Sequence, residues 1–456
     1  MTVMSFFCPA PLRYICGGLV SVLLSLLFCS VRVYAGDVTV RSLPNPLTLE
    51  YALRFADQPH PDLSEARAAL EKAGAVRLGA ESKSGVNVSI LGRLRWIEPS
   101  PLVHDQSHND SSVSLNISKR LYDFGRSKAR LSAAESDIRA EGILYMDVRR
   151  RRRIDIMARF FDVLLADMEY ARDSEATAVT YARFNRLTDR NKLGGASDLA
   201  VLKAETGYRK ARRKRAVSEA RQRITRSLLS ETLNRPGILP ARLAKPALPE
   251  NDRKLPAMGT LVREALDRNP VLLAMRVRVD AGQERLKAAR AEKTPVLTAE
   301  IEGARYERQF GSRDRWRAGL TMEIPLFTGG RVDSAIASAE AELHLLEARL
   351  ARKKMEIRQA ILETWEKINV LIIQRDEVRT LRDYRDLYLD RSRTLYGQGV
   401  KADLGDAMVK YSGSLLRRAE TEFELALAWA RLDSLAGRPV FVSKSNSPVN
   451  NIKPDR

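Results

Sequence analysis

The spacing of hydrophobic positions along this chain changes from two residues to between three and four, and it does so twice. Residues 86–96 alternate, with Val86, Val88, Ile90, Leu94 and Trp96 on one face, and residues 113–117 alternate again through Val113, Leu115 and Ile117. Period two predicts strands. From Arg126 the spacing lengthens. Ile154, Ala158, Phe161, Leu165 and Met168 step by four and three, the seven-residue apolar repeat of packed helices. The second half runs through the same patterns: alternation around Ile301, then through Trp316, Ala318, Leu320, Met322 and Ile324, then helical spacing at Ile361, Trp365, Ile368 and Ile372.

Proline placement supports long helices. All nineteen prolines avoid the windows between Pro101 and Pro236 and between Pro325 and Pro439, and a helix interior tolerates proline poorly. Helices are expected from Arg126 to Asn191 and from Arg331 to Tyr396, each about 99 Å long at about 1.5 Å per residue. Return helices over 198–233 and 403–436 are shorter. Added to early helices over 61–82 and 270–293, they reach about 87 Å in each half. Two half-length helices laid end to end thus nearly match one long helix, which predicts a wall four helical strands wide. Thr48 and Thr260 are expected to start short helices, and Pro61 and Pro270 to open the next ones.

The motifs repeat as well. Leu121, Tyr122, Asp123, Phe124, Gly125 and Arg126 return as Leu326, Phe327, Thr328, Gly329, Gly330 and Arg331, 205 residues later. Asp198 and Leu199 return as Asp403 and Leu404 at the same offset, and Asn234, Arg235 and Pro236 return nearly in step as Gly437, Arg438 and Pro439. A duplication of this size predicts two copies of one unit around a pseudo-symmetry axis. Residues 36–250 form the first repeat, 251–442 the second, and 443–456 a tail rich in Ser, Asn, Pro and Lys that is expected to be disordered. The fold class is α+β, mainly α.

Residues 1–35 read as an export signal, with Arg13, an apolar run from Leu19 to Phe28, and a cleavage site at Val33, Tyr34 and Ala35. All three cysteines (Cys8, Cys16 and Cys29) lie inside it, so the mature protein uses no disulfide. No later stretch suits a transmembrane helix, which leaves a secreted, periplasmic or β-structured outer-membrane protein. Strand segments of about ten residues flanked by Trp96, Tyr122, Tyr306, Trp316 and Phe327 fit tilted strands crossing a bilayer. The formal charge of +20 suits anionic lipid, and export makes nucleic acid the poorer partner. Arg149 to Arg153 run round a helix and do not line one face, so a solvated or interhelical salt-bridged patch is expected. Arg209, Lys210, Arg212, Arg213, Lys214 and Arg215 read the same way. His104 and His108 lie with Asp105 and Asp110 in a polar loop, which needs no metal to explain it. No nucleophile or acid–base constellation is visible, so neither an enzyme nor a cofactor is expected.

A strand, then Leu-Tyr/Phe-x-x-Gly-Arg, then a very long helix, a Gly-rich turn before Asp-Leu, and a Gly-Arg-Pro close together resemble the TolC-like outer-membrane efflux proteins. The resemblance spans essentially the whole mature chain in both repeats. Arg120 stands where the second repeat has Pro325, which alters one strand-to-helix corner. The resemblance implies a homotrimer with four strands per protomer in a shared twelve-stranded barrel in outer-membrane lipid. It also implies a helical tunnel of about 100 Å in the periplasm of a Gram-negative bacterium. Independently, four short strands cannot close a barrel and open edges do not survive in lipid, so several chains must share one.

Gly194, Gly195, Gly397 and Gly399 suit helix-ending turns, and aspartate suits the following helix start. The resemblance adds a periplasmic gate, in which Lys401 pairs with Asp198 and Tyr396 bonds across the hairpins. Asp403 and Asp406 lie three apart on one helix face, and the resemblance implies a constricting ring of six carboxylates. The function expected is a passive outer-membrane exit duct of a tripartite efflux or type I secretion system, coupled by a periplasmic adaptor to an inner-membrane transporter. The alternatives are a periplasmic coiled-coil adaptor or scaffold without a barrel, and a basic nucleic-acid-binding protein, which the export signal opposes.

Overall fold

A computed structural model describes residues 43–238, 241–308, 313–399 and 403–440. The export signal, Lys401 and the C-terminal tail lie outside them. The elements run α1 (Leu49–Leu53), α2 (Pro61–Ser82), β1 (Val86–Arg93), β2 (Ser112–Tyr122), α3 (Arg126–Lys192), α4 (Asp198–Thr232), α5 (Met258–Arg268), α6 (Pro270–Arg290), β3 (Val296–Tyr306), β4 (Trp316–Glu323), α7 (Arg331–Gly397) and α8 (Leu404–Leu435). The long helices α3 and α7 have 67 residues each. Among the described residues no helix is long and apolar enough to cross a membrane.

The helices form four stripes. α3 packs against α2 and α4 on one side and α6 and α8 on the other, and α7 packs on α6 and α8. α2 continues α4 end to end, and α6 continues α8. Being flanked on both sides changes which residues of α3 are covered. Ile156, Met157, Phe160, Phe161, Val163 and Ala166 are buried. Of the stripe expected at Ile154, Ala158, Phe161, Leu165 and Met168, only Phe161 is fully covered, because a two-sided helix does not restrict its apolar contacts to one seam. Phe161 stacks on Phe423 of α8 with ring centroids 4.4 Å apart. α7 has neighbours on one side within the chain and keeps the expected seven-residue step, with Ile361 and Ile368 both fully buried. They join Leu261, Leu272, Leu425, Trp429 and Leu432 in one core cluster.

Repeated motifs mark the places where half-length helices meet. Asn234 (φ 53°) and Gly437 (φ 73°) end α4 and α8 in the left-handed conformation. Behind them the Arg235 and Arg438 amides donate to the Ser230 and Asp433 carbonyls at 2.8 Å, the capping bond that such a residue permits. Each cap rests on the carbonyl just before the next helix's N-cap. Asn234 reaches the Pro59 carbonyl with its side-chain amide at 3.0 Å. At Gly437 the backbone comes so close that a Cβ would lie 2.3 Å from the Arg268 carbonyl oxygen. The N-caps are His60, whose Nδ1 accepts from the Asp62 amide, and Asn269, whose side chain accepts from Val271 and Leu272 and donates to the Leu435 carbonyl. Thr48 caps α1 as expected. Thr260 does not cap α5, which begins earlier after Ala257, and the Thr260 amide donates to the Ala257 carbonyl.

The arginine run lies at the first of these joints. Arg149 and Arg153 bond Asp57, and Arg151 pairs with Asp147. Arg152 is only 4% exposed. It donates to the Phe55 and Thr232 carbonyls and faces Asp62 at 3.7 Å, neutralising both the carbonyl end of α4 and the acidic start of α2. Arg149, Arg152 and Arg153 thus bond to segments outside α3, while Arg151 pairs within it. The run's one buried guanidinium is placed by the joint.

All four strands form one antiparallel sheet in the order β1-β2-β3-β4. β1 ends at Arg93, short of the expected Trp96, and β2 runs on to Tyr122 past a bulge between Arg120 and Tyr122. β4 stops at Glu323, two residues before Pro325, whose missing N–H cannot extend a ladder. The Arg120/Pro325 difference thus separates a long strand from a short one.

Two outcomes follow for the joints. Gly437→Ala should destabilise the protein by about 1–3 kcal/mol through forced left-handed strain alone, read as a lowered far-UV circular dichroism midpoint in detergent, whereas Asn234→Gly should shift it less. Burial, with Arg152 adding to it, holds the His60 pKa below its ordinary value. At Asp57 burial acts upward, but Arg149 and Arg153 outweigh it and lower the carboxyl pKa. Both shifts have one sign. The unfolded chain takes protons that the fold refuses, so stability falls as pH drops below about 6.5 for His60 and again below about 4 for Asp57. His60→Asn should flatten the upper step.

Candidate functional site

The two ends of the helical stripes carry different chemistry. At the strand end, the sheet has an apolar and a polar face. Cross-strand pairing aligns Val88 with Ile117, Ile117 with Ile301 and Ile301 with Ala318. The same parity puts Val86, Ile90, Leu115, Leu320, Met322 and Trp316 on that face, where all are exposed. The opposite face carries Ser89, Asn116, Glu302 and Arg317 in one row, with Glu302 and Arg317 ion-paired. Exposed apolar side chains over most of a sheet face, with Lys119 and Arg305 toward its two ends, mark a surface that meets something other than water.

Between sheet and helices, the repeated Gly-Arg corner acquires a physical role. Phe124 and Gly125, and again Gly329 and Gly330, have positive φ, which turns each strand sharply into its long helix. The arginines that follow converge on one carboxylate. Glu292, in a 3₁₀ turn after α6, accepts from Arg126 and Arg130 at 2.7 Å and from Arg331 at 3.3 Å. Both copies of the motif thus fasten to a residue that has no counterpart in the motif itself. Glu292 falls at the end of the early helix expected over 270–293. Its partners lie 39 to 166 residues away, beyond any local signal.

At the far end, the α3–α4 turn and the α7–α8 turn form two hairpin tips. Gly194 (φ 75°) and Gly399 (φ 73°) supply the expected left-handed stops. Asn191 donates from its side chain to the Ala196 carbonyl at 2.8 Å and to Asp198 Oδ1 at 2.9 Å, so the Asp198 carboxylate has a partner within its own hairpin. Lys401, its expected partner, lies outside the described residues. Tyr396 is exposed, and its carbonyl accepts from the Gly399 amide. Asp403 is the N-cap of α8, accepting from the Asp406 amide at 3.2 Å. Its other oxygen pairs with Arg183 of α3, a contact across 220 residues that the sequence reading missed. Asp406 pairs with Lys410 at 2.6 Å, and that carboxylate holds the ammonium pKa above its ordinary value. The two aspartates therefore share the start of α8, each with a cation beside it.

The loop between β1 and β2 brings His108 to 3.3 Å from Glu98 and sets its ring, tilted by 30°, 5.4 Å from that of Trp96. Among the described residues no group of three or more His, Cys, Asp or Glu side chains is placed to hold a metal.

Residues 261–438 match the family described as outer membrane efflux protein. No curated protein matches the chain by sequence. Solved structures do match in fold. A membrane protein from Pseudomonas aeruginosa is 19% identical, covering 86% of this chain and 90% of that one, with a TM-score of 0.71. VceC, the outer membrane protein of Vibrio cholerae, is 17% identical over 86% of this chain and 97% of its own, with a TM-score of 0.68. The MtrE outer membrane channel of Neisseria gonorrhoeae, in its open state, is 17% identical over 86% and 89%, also with a TM-score of 0.68. The class these likenesses define is one of fold, the TolC-like fold. The family match lies within the second repeat, over residues 261–438.

Replacing Glu292 by Gln leaves three guanidiniums without their shared anion. A loss of about 2–3 kcal/mol is expected from the charged hydrogen bonds alone, seen as a lower thermal midpoint with the helical content at low temperature unchanged.

Proposed function

We propose that this protein is the outer-membrane exit duct of a tripartite export system. Several copies share one barrel, the strands cross the outer membrane, and the helices line a water-filled passage through the periplasm. The observation that carries this reading is the sheet. Its apolar face is exposed along all four strands, and its edges, β1 and β4, are unpaired within the chain. In lipid each unpaired amide and carbonyl costs several kcal/mol, so the edges must be closed. Because β1 and β4 run in opposite directions, β4 of one copy can continue the antiparallel order onto β1 of the next. Three copies, as the resemblance implies, give twelve strands. The passage is passive, and a periplasmic adaptor and an inner-membrane transporter supply coupling and energy. An enzymatic role has no part in this reading.

The hairpin tips are the periplasmic entrance of such a duct. We assign the gate to Asp198, Tyr396 and Lys401 and the acidic constriction to Asp403 and Asp406, with Arg183 and Lys410 offsetting part of the negative charge. Three copies bring six carboxylates to one level, and rings of carboxylates favour cations by their field.

Light scattering of the detergent-solubilised particle should give three copies, and planar bilayers should show a conducting pore. A single copy per particle with no conductance would discard the duct. With asparagine at both Asp403 and Asp406, the cation-to-anion permeability ratio should roughly halve, whereas Arg183→Gln should raise it.

A further inference from the structure

We propose that Glu300 makes a second, independent charge filter inside the barrel, setting cation preference in the membrane-crossing part of the duct. This inference rests on the duct reading above.

Parity fixes the side of the sheet. Glu300 lies one residue from Ile301, hence on the face opposite the apolar one. On that polar face a groove of about 450 Å³ opens, lined by Asn116, Ser118, Glu300, Glu302, Arg317 and Thr321. With the apolar face against lipid, this face borders the lumen.

The pairing rows then show which lumenal charges are compensated. One row reads Ser89, Asn116, Glu302 and Arg317, and its two charges form an ion pair. On the other side of Glu300, Arg120, Thr298 and Thr321 share a row, and Arg120 faces Asp123 at 3.6 Å. The row between them reads Asn87, Ser118, Glu300 and Gly319. It holds one carboxylate and no cation. Glu300 is exposed, and among the described residues no ion pair includes it. Its cross-strand neighbours are a serine and a glycine, which neither neutralise it nor cover it. Repeated by each copy around a shared barrel, this row becomes a ring of uncompensated carboxylates, while the Glu302–Arg317 row becomes a neutral one.

Reach is set by screening. At about 0.1 M salt a charge acts over roughly 10 Å, and at about 1 M over roughly 3 Å. The ring therefore biases a lumen of this order at low salt and loses its hold at high salt. Unlike the tip aspartates, it acts on ions arriving from the extracellular side.

The experiment is a reversal-potential measurement on reconstituted full-length protein under a potassium chloride gradient. Glu300→Gln keeps size and exposure and should lower the cation-to-anion permeability ratio about twofold at low salt. Arg317→Gln, which frees Glu302, should raise it. Both differences should vanish near 1 M salt, and the Glu300→Gln effect should persist when Asp403 and Asp406 are already asparagine. A conducting Glu300→Gln pore with the wild-type reversal potential at low salt overturns this inference alone. A wild-type protein that forms no pore overturns the duct reading and this one with it.

Discussion

Backbone amides in hydrocarbon have no water to turn to, and the rest of this molecule is arranged around that fact. Four strands with one exposed apolar face and two open edges are unsustainable in lipid as a lone sheet. On the duct reading, association completes the ladder, and the helical wall sets how the copies meet. Within one chain α3 is enclosed on both sides, while α7 and the α2–α4 stripe form the outer stripes of the wall. The exposed apolar residues Leu362, Val370 and Ile373 of α7, and Val217, Ile224 and Leu228 of α4, suit contact between neighbouring copies.

Ion pairs, more than apolar volume, join the layers at the places where helices stop. A stripe of thin helices buries few large side chains, and its ends expose unsatisfied carbonyls and amides. Arginine suits these sites because it stays charged and donates in several directions. Arg152 reaches the end of α4, Arg126 and Arg331 gather on Glu292, and Arg438 grips Glu264 with two hydrogen bonds of 2.9 and 2.7 Å. Part of the chain's positive charge is thereby structural and not a surface for polyanions.

What could be read from the sequence was what depends on local period and backbone restriction. Strand alternation, the two proline-free windows and the Gly-Arg and Arg-Pro motifs placed every long element, because the side-chain rhythm and the forbidden proline positions act within a few residues. Residues whose role depends on a distant partner were not legible. Glu292 has no motif of its own, Arg183 meets Asp403 only once both hairpins are built, and Arg152 looks like any other member of a five-arginine run. The Ile154–Met168 stripe failed for a related reason, since a helix with neighbours on both sides does not reveal which residues it buries. Thr260 shows that a plausible cap loses when the helix gains by starting a turn earlier.

The two joints have diverged by the breadth of one side chain. In the first repeat an asparagine amide spans the space to the Pro59 carbonyl; in the second, bare backbone presses against Arg268. The two return helices have therefore ceased to be interchangeable. With α4 in place of α8, asparagine would stand where only hydrogen fits, so the ancestral symmetry survives in outline but a return helix can no longer be exchanged without its own partner.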